Sequence, residues 1–383
     1  MIDAPRFLQM LERRGVGLYA GVPDSALKAL GRALAEQIAA PRHIVAANEG
    51  SALGLAAGHH LATGGLACVY MQNSGLGHAA NPLASLLSAD VYGIPVLLII
   101  GWRGEVLDGV QSADEPQHVQ QGRITLPMLD CLELPYAVLG PDHGDRQAED
   151  MVGALIEQSL ARSRPVALVV RRGVLDAGDD PPPGASPYGL SREQALQAAI
   201  ALMPPDTVYV ATTGKASREL YSHRQVSGLP PGRDFLTVGA MGHALQIAVG
   251  AALARPERRF VCLDGDGAFI MHMGGLTAAA QCANLLHLVI NNGAHESAGG
   301  APTQGFAIDM PAIAGACGYG FVARVDGRED LQARIGQGLA AGCAAFIEVR
   351  VNARSRADLP RPKGGLGAAK AEFMRHLAGA DRA

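Results

Sequence analysis

Residues 258–273 read RRFVCLDGDGAFIMHM: an apolar run enters Asp264-Gly265-Asp266-Gly267 and a second apolar run leaves it. RFVCL has the composition of a buried strand, and the residues after Gly267 that of a helix start. Gly265 and Gly267 let the backbone approach a bulky anion closely, where a following helix N-terminus favours negative charge. A carboxylate beside a phosphate would repel it. A divalent cation between the two removes the conflict, because Mg²⁺ takes octahedral oxygen ligands, commonly one carboxylate plus phosphate oxygens. A later apolar run, HLVINNG (287–293), ends in Asn291 and Asn292, whose amide oxygens could complete the coordination without adding charge. A calcium loop would need further acids at alternate positions, which AFIMH does not supply.

The same pattern of apolar runs ending in glycine and polar residues extends over the whole chain. GLYAGV, HIVAAN, LACVYMQ, VLLIIG, YAVLG and PVALVVRR alternate with helix-length segments in the first half. TVYVATTG, FLTVG, RFVCLDGDG, LLHLVINN, FVARV and AAFIEVRV repeat the scheme in the second. Such alternation predicts an α/β fold with two similar domains, each a parallel sheet flanked by helices. The stretch DAGDDPPPGASPYG can neither continue a helix nor pair in a central strand. It predicts a first domain over 1–175, a linker over 176–190 and a second domain over 191–383. Ligands of open parallel sheets sit beyond the C-terminal strand ends, where ATTG, DGDG and VINNG all fall.

With 383 residues, 48% hydrophobic and 18% charged, the chain can bury two cores of ordinary size. A net charge of −4 with scattered Lys and Arg argues against a nucleic-acid surface and favours small-molecule chemistry. The six cysteines occur singly, without CxxC pairs, and read as reduced, mostly core residues rather than a metal cluster. No apolar run reaches the roughly 18 residues of a membrane span. MIDAPRFLQMLERRG lacks the apolar segment of a secretory leader, so a cytoplasmic location is expected. A nucleotide-binding dehydrogenase is disfavoured, since no strand is followed by G-x-G-x-x-G.

The GDG…NN combination resembles the diphosphate motif of thiamine-diphosphate (ThDP) enzymes. That resemblance implies metal ligation by Asp266, Asn292 and the backbone carbonyl of Ala294. It implies cofactor contacts from Thr213, Gly214, Gly265, Gly267 and Ala268, and leaves Asp264 as a structural residue. HIVAANEGSALGLAAGHH (43–60) resembles the segment carrying the activating glutamate, here Glu49. Read by itself, Glu49 is equally a first-turn acid that complements the helix dipole. FLTVGAMGHALQIAVG (235–250) offers Met241 as the apolar wedge that bends the cofactor and the Gly239 carbonyl as partner of its 4′-nitrogen.

The segments GVPDSALKAL (21–30), QNSGLGHAANPL (72–83), SADEPQHVQQG (112–122), TTGKASRELY (212–221) and NNGAHESAGGAPTQ (291–304) are similar to the phosphonopyruvate decarboxylases and the related sulfopyruvate decarboxylases. The chain is too short for the third, central domain of many ThDP decarboxylases. The resemblance implies decarboxylation of a 3-phosphonated 2-oxo acid to phosphonoacetaldehyde and CO₂, with ThDP and Mg²⁺. It also implies a homodimer or dimer of dimers with active sites at subunit interfaces. Asp24 and Ser25 are nominated as catalytic, although GVPDS also reads as a turn and helix cap. His118 and His295 are further candidates, and Lys215, with Arg103 and Lys363 behind it, could meet the substrate anion. A ThDP carboligase and a noncatalytic subunit remain as other readings.

Overall fold

The computed structural model describes residues 1–176, 186–228 and 232–379. Parallel strands buried on both faces read as unbroken apolar runs, and all twelve runs quoted above contain strands. In the first half they are β1 (Val16–Gly21), β2 (His43–Val45), β3 (Leu66–Gln72), β4 (Val96–Gly101), β5 (Tyr136–Leu139) and β6 (Val166–Val170). They form one parallel sheet in the order β2-β1-β3-β4-β6-β5. In the second half come β7 (Val208–Ala211), β8 (Asp234–Leu236), β9 (Phe260–Gly265), β10 (Leu285–Asn291), β11 (Phe321–Val325) and β12 (Ala345–Arg350). Their order is β8-β7-β9-β10-β12-β11, the same arrangement over again.

Side chains alternate across each strand, so every sheet feeds two cores. Leu97 and Ile99 of β4 join Leu8, Tyr19, Leu30 and Leu168 on one face. Val96, Leu98 and Ile100 join Leu53, Val69 and Leu83 on the other. In the second half, Val261 and Leu263 face one core while Phe260 and Cys262 face the opposite one. Each fully buried Leu or Ile contributes roughly 1.5–3 kcal/mol relative to exposure, so sheet and helices are held mainly by these faces.

The chain divides into two units, Met1–Pro181 with His295–Ala301 and Pro182–Ala294 with Pro302–Ala383. Residues 177–185 of the expected linker lie outside the described residues. At its near end Leu175–Asp176 pairs with Ile2–Asp3; at its far end Asn352 Nδ2 donates to the carbonyls of Tyr188 and Gly189. The segment 295–301 was expected in the second domain. It belongs with the first unit, where Gly299 lies against the Lys28 side chain.

All six cysteines are free. Cys262 sits opposite His287 in the β9–β10 register and shares a fully buried cluster with Asp264, their ligand atoms within 4.8 Å of one another. The sequence reading placed no such group, because it depends on strand register. His287 Nε2 lies 3.6 Å from Asp264 Oδ2, and His287 Nδ1 is 3.3 Å from the Tyr319 hydroxyl. Among the described residues no helix is long and apolar enough to cross a membrane.

Candidate active site

In each sheet the chain turns left from the first strand and right from the third, so a crevice opens between β1 and β3 and between β7 and β9. Such switch points collect ligands at the C-terminal strand ends. Every residue singled out from the sequence, except Lys363, follows or flanks a C-terminal strand end.

In the first unit β2 leads into helix Glu49–Thr63, with Asn48 as its N-cap accepting from the Ser51 N–H at 2.9 Å. Capping is therefore done by Asn48, and the Glu49 side chain is turned inward at 5% exposure. Its Oε2 accepts a hydrogen bond of 2.7 Å from His78 Nδ1, on helix Leu76–Pro82 after β3. Gly75 leaves the space the acid occupies: a Cβ there would stand 2.5 Å from Glu49 Cγ and Oε1. His78 lies inside a quoted motif, but only the fold brings these helices together. The hydrogen bond that His78 donates to Glu49 pushes the His78 pKa up, against the opposing effect of burial.

Asp24 follows β1 and is 4% exposed, and among the described residues neither carboxylate oxygen has a hydrogen-bond partner in good geometry. Burial pushes its pKa up to about 7, against the pull of nearby backbone N–H groups and of Arg103. Gly101, ending β4, lies directly beneath it, and any Cβ there would overlap Asp24 Oδ2. Ser25 Oγ accepts from Arg103 Nη1 at 2.7 Å. Arg103 is gripped in turn by Asp114, which also accepts from the Gly104 and Glu115 amides at 3.0 and 2.8 Å. The Arg103 backbone is tied to the Asn73 side chain at 3.0 and 3.2 Å. Arg103, considered from sequence as an anion-binding cation, is thus already paired with a carboxylate. His118, on helix Pro116–Cys131, is 7% exposed, and its Nδ1 has no hydrogen-bond partner among the described residues. Burial, then Arg103, lower its pKa.

In the second unit Gly265 ends β9 and Asp266, Gly267 and Ala268 open helix Asp266–Met271, as the sequence predicts. Asp266 is 3% exposed and accepts from the Thr303 hydroxyl. Burial pushes its pKa up to about 6, although Thr303 and the Gly267 and Gly293 amides pull it down. Asn291 donates to the Gly305 carbonyl and to Glu348 Oε1, both at 2.8 Å, while its own Oδ1 accepts from Gly293 N–H. The fully buried Glu348 is held by Arg350 and Arg324 at 2.9 and 2.7 Å. AAFIEVRV by itself did not signal that role, since Arg324 and Asn291 reach Glu348 only from the neighbouring strands β11 and β10. Asn292 Oδ1 accepts from the Ala294 N–H at 3.1 Å, folding the 292–294 turn.

Thr213 and Gly214 follow β7, and Thr213 Oγ1 accepts from the Gly239 amide at 3.1 Å, joining two of the sequence-predicted segments. Gly239, Ala240 and Gly242 all have positive φ, at 68°, 44° and 83°. Holding non-glycine Ala240 there costs about 1–2 kcal/mol, so the surroundings dictate this turn. It presents half-buried Met241. Lys215 donates to Ser355 Oγ at 2.6 Å, and Lys363 is exposed. His295 starts the 295–301 segment, and burial lowers its pKa to about 4.

The geometry is that of two half-sites, one offering a buried acid and a protonatable carboxyl, the other an oxygen-rich anion and cation cradle. Residues 4–126 match the thiamine pyrophosphate enzyme N-terminal TPP binding domain, and residues 213–349 the C-terminal TPP binding domain. The curated phosphonopyruvate decarboxylase of Streptomyces hygroscopicus is 36% identical over 95% of this chain and 91% of its own. The chain belongs to the phosphonopyruvate decarboxylase family. A second member, from Streptomyces viridochromogenes, is 36% identical over 95% of this chain and 92% of its own. The beta subunit of sulfopyruvate decarboxylase from Methanothermobacter thermautotrophicus is also 36% identical, over 45% of this chain and 86% of that subunit. Family membership makes the chain a ThDP-dependent decarboxylase, a carboxy-lyase, and accounts for cofactor-binding domains in both halves.

Proposed function

We propose that the chain decarboxylates phosphonopyruvate to phosphonoacetaldehyde and CO₂, using ThDP with Mg²⁺ in the cytoplasm. The observation that carries this reading is the coexistence of both half-sites, Glu49 buried after β2 and Asp266 buried after β9, in a chain 36% identical to phosphonopyruvate decarboxylases over 95% of its length. The cradle fits the cofactor's metal. Asp266 carries a carboxylate that burial alone disfavours, the surrounding ligand atoms are oxygens, and a divalent cation is what offsets such a charge. Asp266, Asn292 and the Ala294 carbonyl would hold Mg²⁺; Thr213, Gly214, Gly265, Gly267 and Ala268 would line the diphosphate. Gly239 and Met241 would seat the aminopyrimidine end. ThDP, when bound, supplies an electron sink for the pair released as CO₂ leaves.

The chain's own groups then divide the remaining work. Glu49 offers an anionic hydrogen-bond acceptor to the far end of the cofactor. Asp24, titrating at about 7, can take up or deliver a proton near neutrality, whereas His118 and His295, whose pKa values burial lowers, can accept protons or orient substrate. Ser25, fixed by Arg103, and Lys215, fixed by Ser355, are preplaced polar groups for the substrate's anionic ends. Helix Glu49–Thr63 exposes Gly54, Leu55, Gly58 and Leu61, and an open apolar groove along it is lined by Leu18, Ile44, Ala46 and Leu55. That face supports a homo-oligomer, a homodimer or a dimer of dimers, in which each site combines half-sites of two copies.

Aldehyde release from phosphonopyruvate, sulfopyruvate and pyruvate, measured in parallel with ThDP and Mg²⁺, tests the assignment. Phosphonoacetaldehyde is expected to form fastest and to stop when Mg²⁺ is chelated. A faster sulfopyruvate reaction would move the anion assignment; no aldehyde from any of the three, despite ThDP binding, would overturn decarboxylation. The cradle has its own test. A Cβ on Gly305 would stand 2.6 Å from Asn291 Oδ1 and 2.7 Å from Asp266 Oδ2. Gly305→Ala is expected to weaken Mg²⁺-dependent ThDP binding by about tenfold to a hundredfold in calorimetry, as disturbed metal-site support does.

A further inference from the structure

We infer that His78 is a positioning residue for Glu49, holding Oε2 so that Oε1 is the oxygen left to the cofactor. This inference rests on the role proposed above for Glu49. The carboxylate is confined from two directions by parts of one segment. His78 Nδ1 donates to Oε2 at 2.7 Å, and Gly75, three residues earlier, vacates the space that Cγ and Oε1 fill. Both belong to the turn and helix directly after β3, the strand that borders the first unit's crevice.

The arrangement has a chemical logic. A carboxylate that must accept one hydrogen bond in a fixed direction gains from having its other oxygen occupied, because a free carboxylate rotates about its Cγ–Cδ bond and presents either oxygen. A charge-assisted hydrogen bond at Oε2 removes that freedom, and the donor also favours the ionised acceptor. Glu49 raises the His78 pKa, as expected for a ring whose Nδ1 proton is held by a carboxylate. The bond is between side chains 29 positions apart, so it is a product of the fold and not of one helix.

The test compares variants that differ in one donor. Asparagine places an amide nitrogen where His78 has Nδ1, whereas leucine fills the volume without a donor. The readout is the exchange rate of the C2 proton of ThDP bound to the full-length protein with Mg²⁺ and no substrate, followed by quenched-flow NMR in D₂O. Calorimetric ThDP affinity is measured beside it. His78→Leu is expected to slow exchange by about tenfold to a hundredfold, the range for losing a hydrogen bond to a charged group, with affinity changed by less than about threefold. His78→Asn is expected to restore exchange to within about threefold of the native rate. Native exchange in His78→Leu, or equal losses in both variants, would overturn the positioning role. Should His78→Leu fail to fold, His78→Ala takes its place in the same comparison. Glu49→Gln, run alongside, separates the two ideas: slow exchange there with native exchange in His78→Leu sinks only this inference. Native exchange in Glu49→Gln sinks the Glu49 reading itself.

Discussion

Glu49→Gln is expected to lower the rate of aldehyde formation by about a hundredfold to ten-thousandfold, the range for removing a group that handles protons in the rate-determining chemistry. The change is nearly isosteric, and glutamine can still accept from His78 through its amide oxygen. Fold and thermal midpoint should therefore stay close to native. What is lost is the anionic acceptor, since an amide group has one donor end and no charge. Initial rates at saturating substrate, together with ThDP affinity, check the expectation. A variant that keeps its rate within tenfold would show that the buried acid after β2 serves packing alone. A variant that loses rate because ThDP no longer binds would place Glu49 in affinity rather than activation.

Asp24→Asn should separate stability from activity in opposite directions. The Asp24 carboxyl titrates near 7 in the folded chain because burial disfavours its anion, against an ordinary value near 3.8. The folded state thus binds this proton more tightly than the unfolded state does. Below pH 4 or so both states are protonated and Asp24 imposes no penalty; as pH rises from about 4 to about 7 the penalty grows, and above that it is complete. At about 1.4 kcal/mol per pKa unit the full effect is up to about 4 kcal/mol. Asparagine carries no charge to desolvate. The variant is expected to be more stable than the native chain at pH 8, with the difference closing at pH 4 in denaturant titrations. Its decarboxylation rate is expected to fall about a hundredfold, because the group holding a proton near neutrality is gone. Equal stability of the two chains at pH 8 would mean that Asp24 is not the buried neutral acid described above.

The fold could be read in the sequence because its signal is redundant. VLLIIG and PVALVV can be buried on both faces only in the middle of a covered sheet, and each such run ended where the strand ends. The buried acid after β9 and the asparagines after β10 stood out for a different reason: Asp266 and Asn292 sit in short motifs of unusual residue type at strand ends. Contacts made between distant segments were not legible. His78 meets Glu49 because the helices that follow β2 and β3, the strands on either side of β1, come together; Glu348 braces Asn291 through the β10–β12 register. Arg103 looked like an available cation until the chain between β4 and helix Pro116–Cys131 curled back to place Asp114 on it. Residues 295–301 were assigned by sequence position to the second domain, yet belong with the first unit.

The repeated strand order of the two sheets bears on how the enzyme is supplied to the cell. The sulfopyruvate decarboxylase beta subunit matches 45% of this chain, and an alpha subunit from the same organism matches 33% of it. Here one message encodes a β2-β1-β3-β4-β6-β5 unit and its topological copy together. Every unit carrying Glu49 is synthesised with one unit carrying Asp266, and their ratio is fixed at translation, whatever the expression level. No surplus of one unit over the other can accumulate.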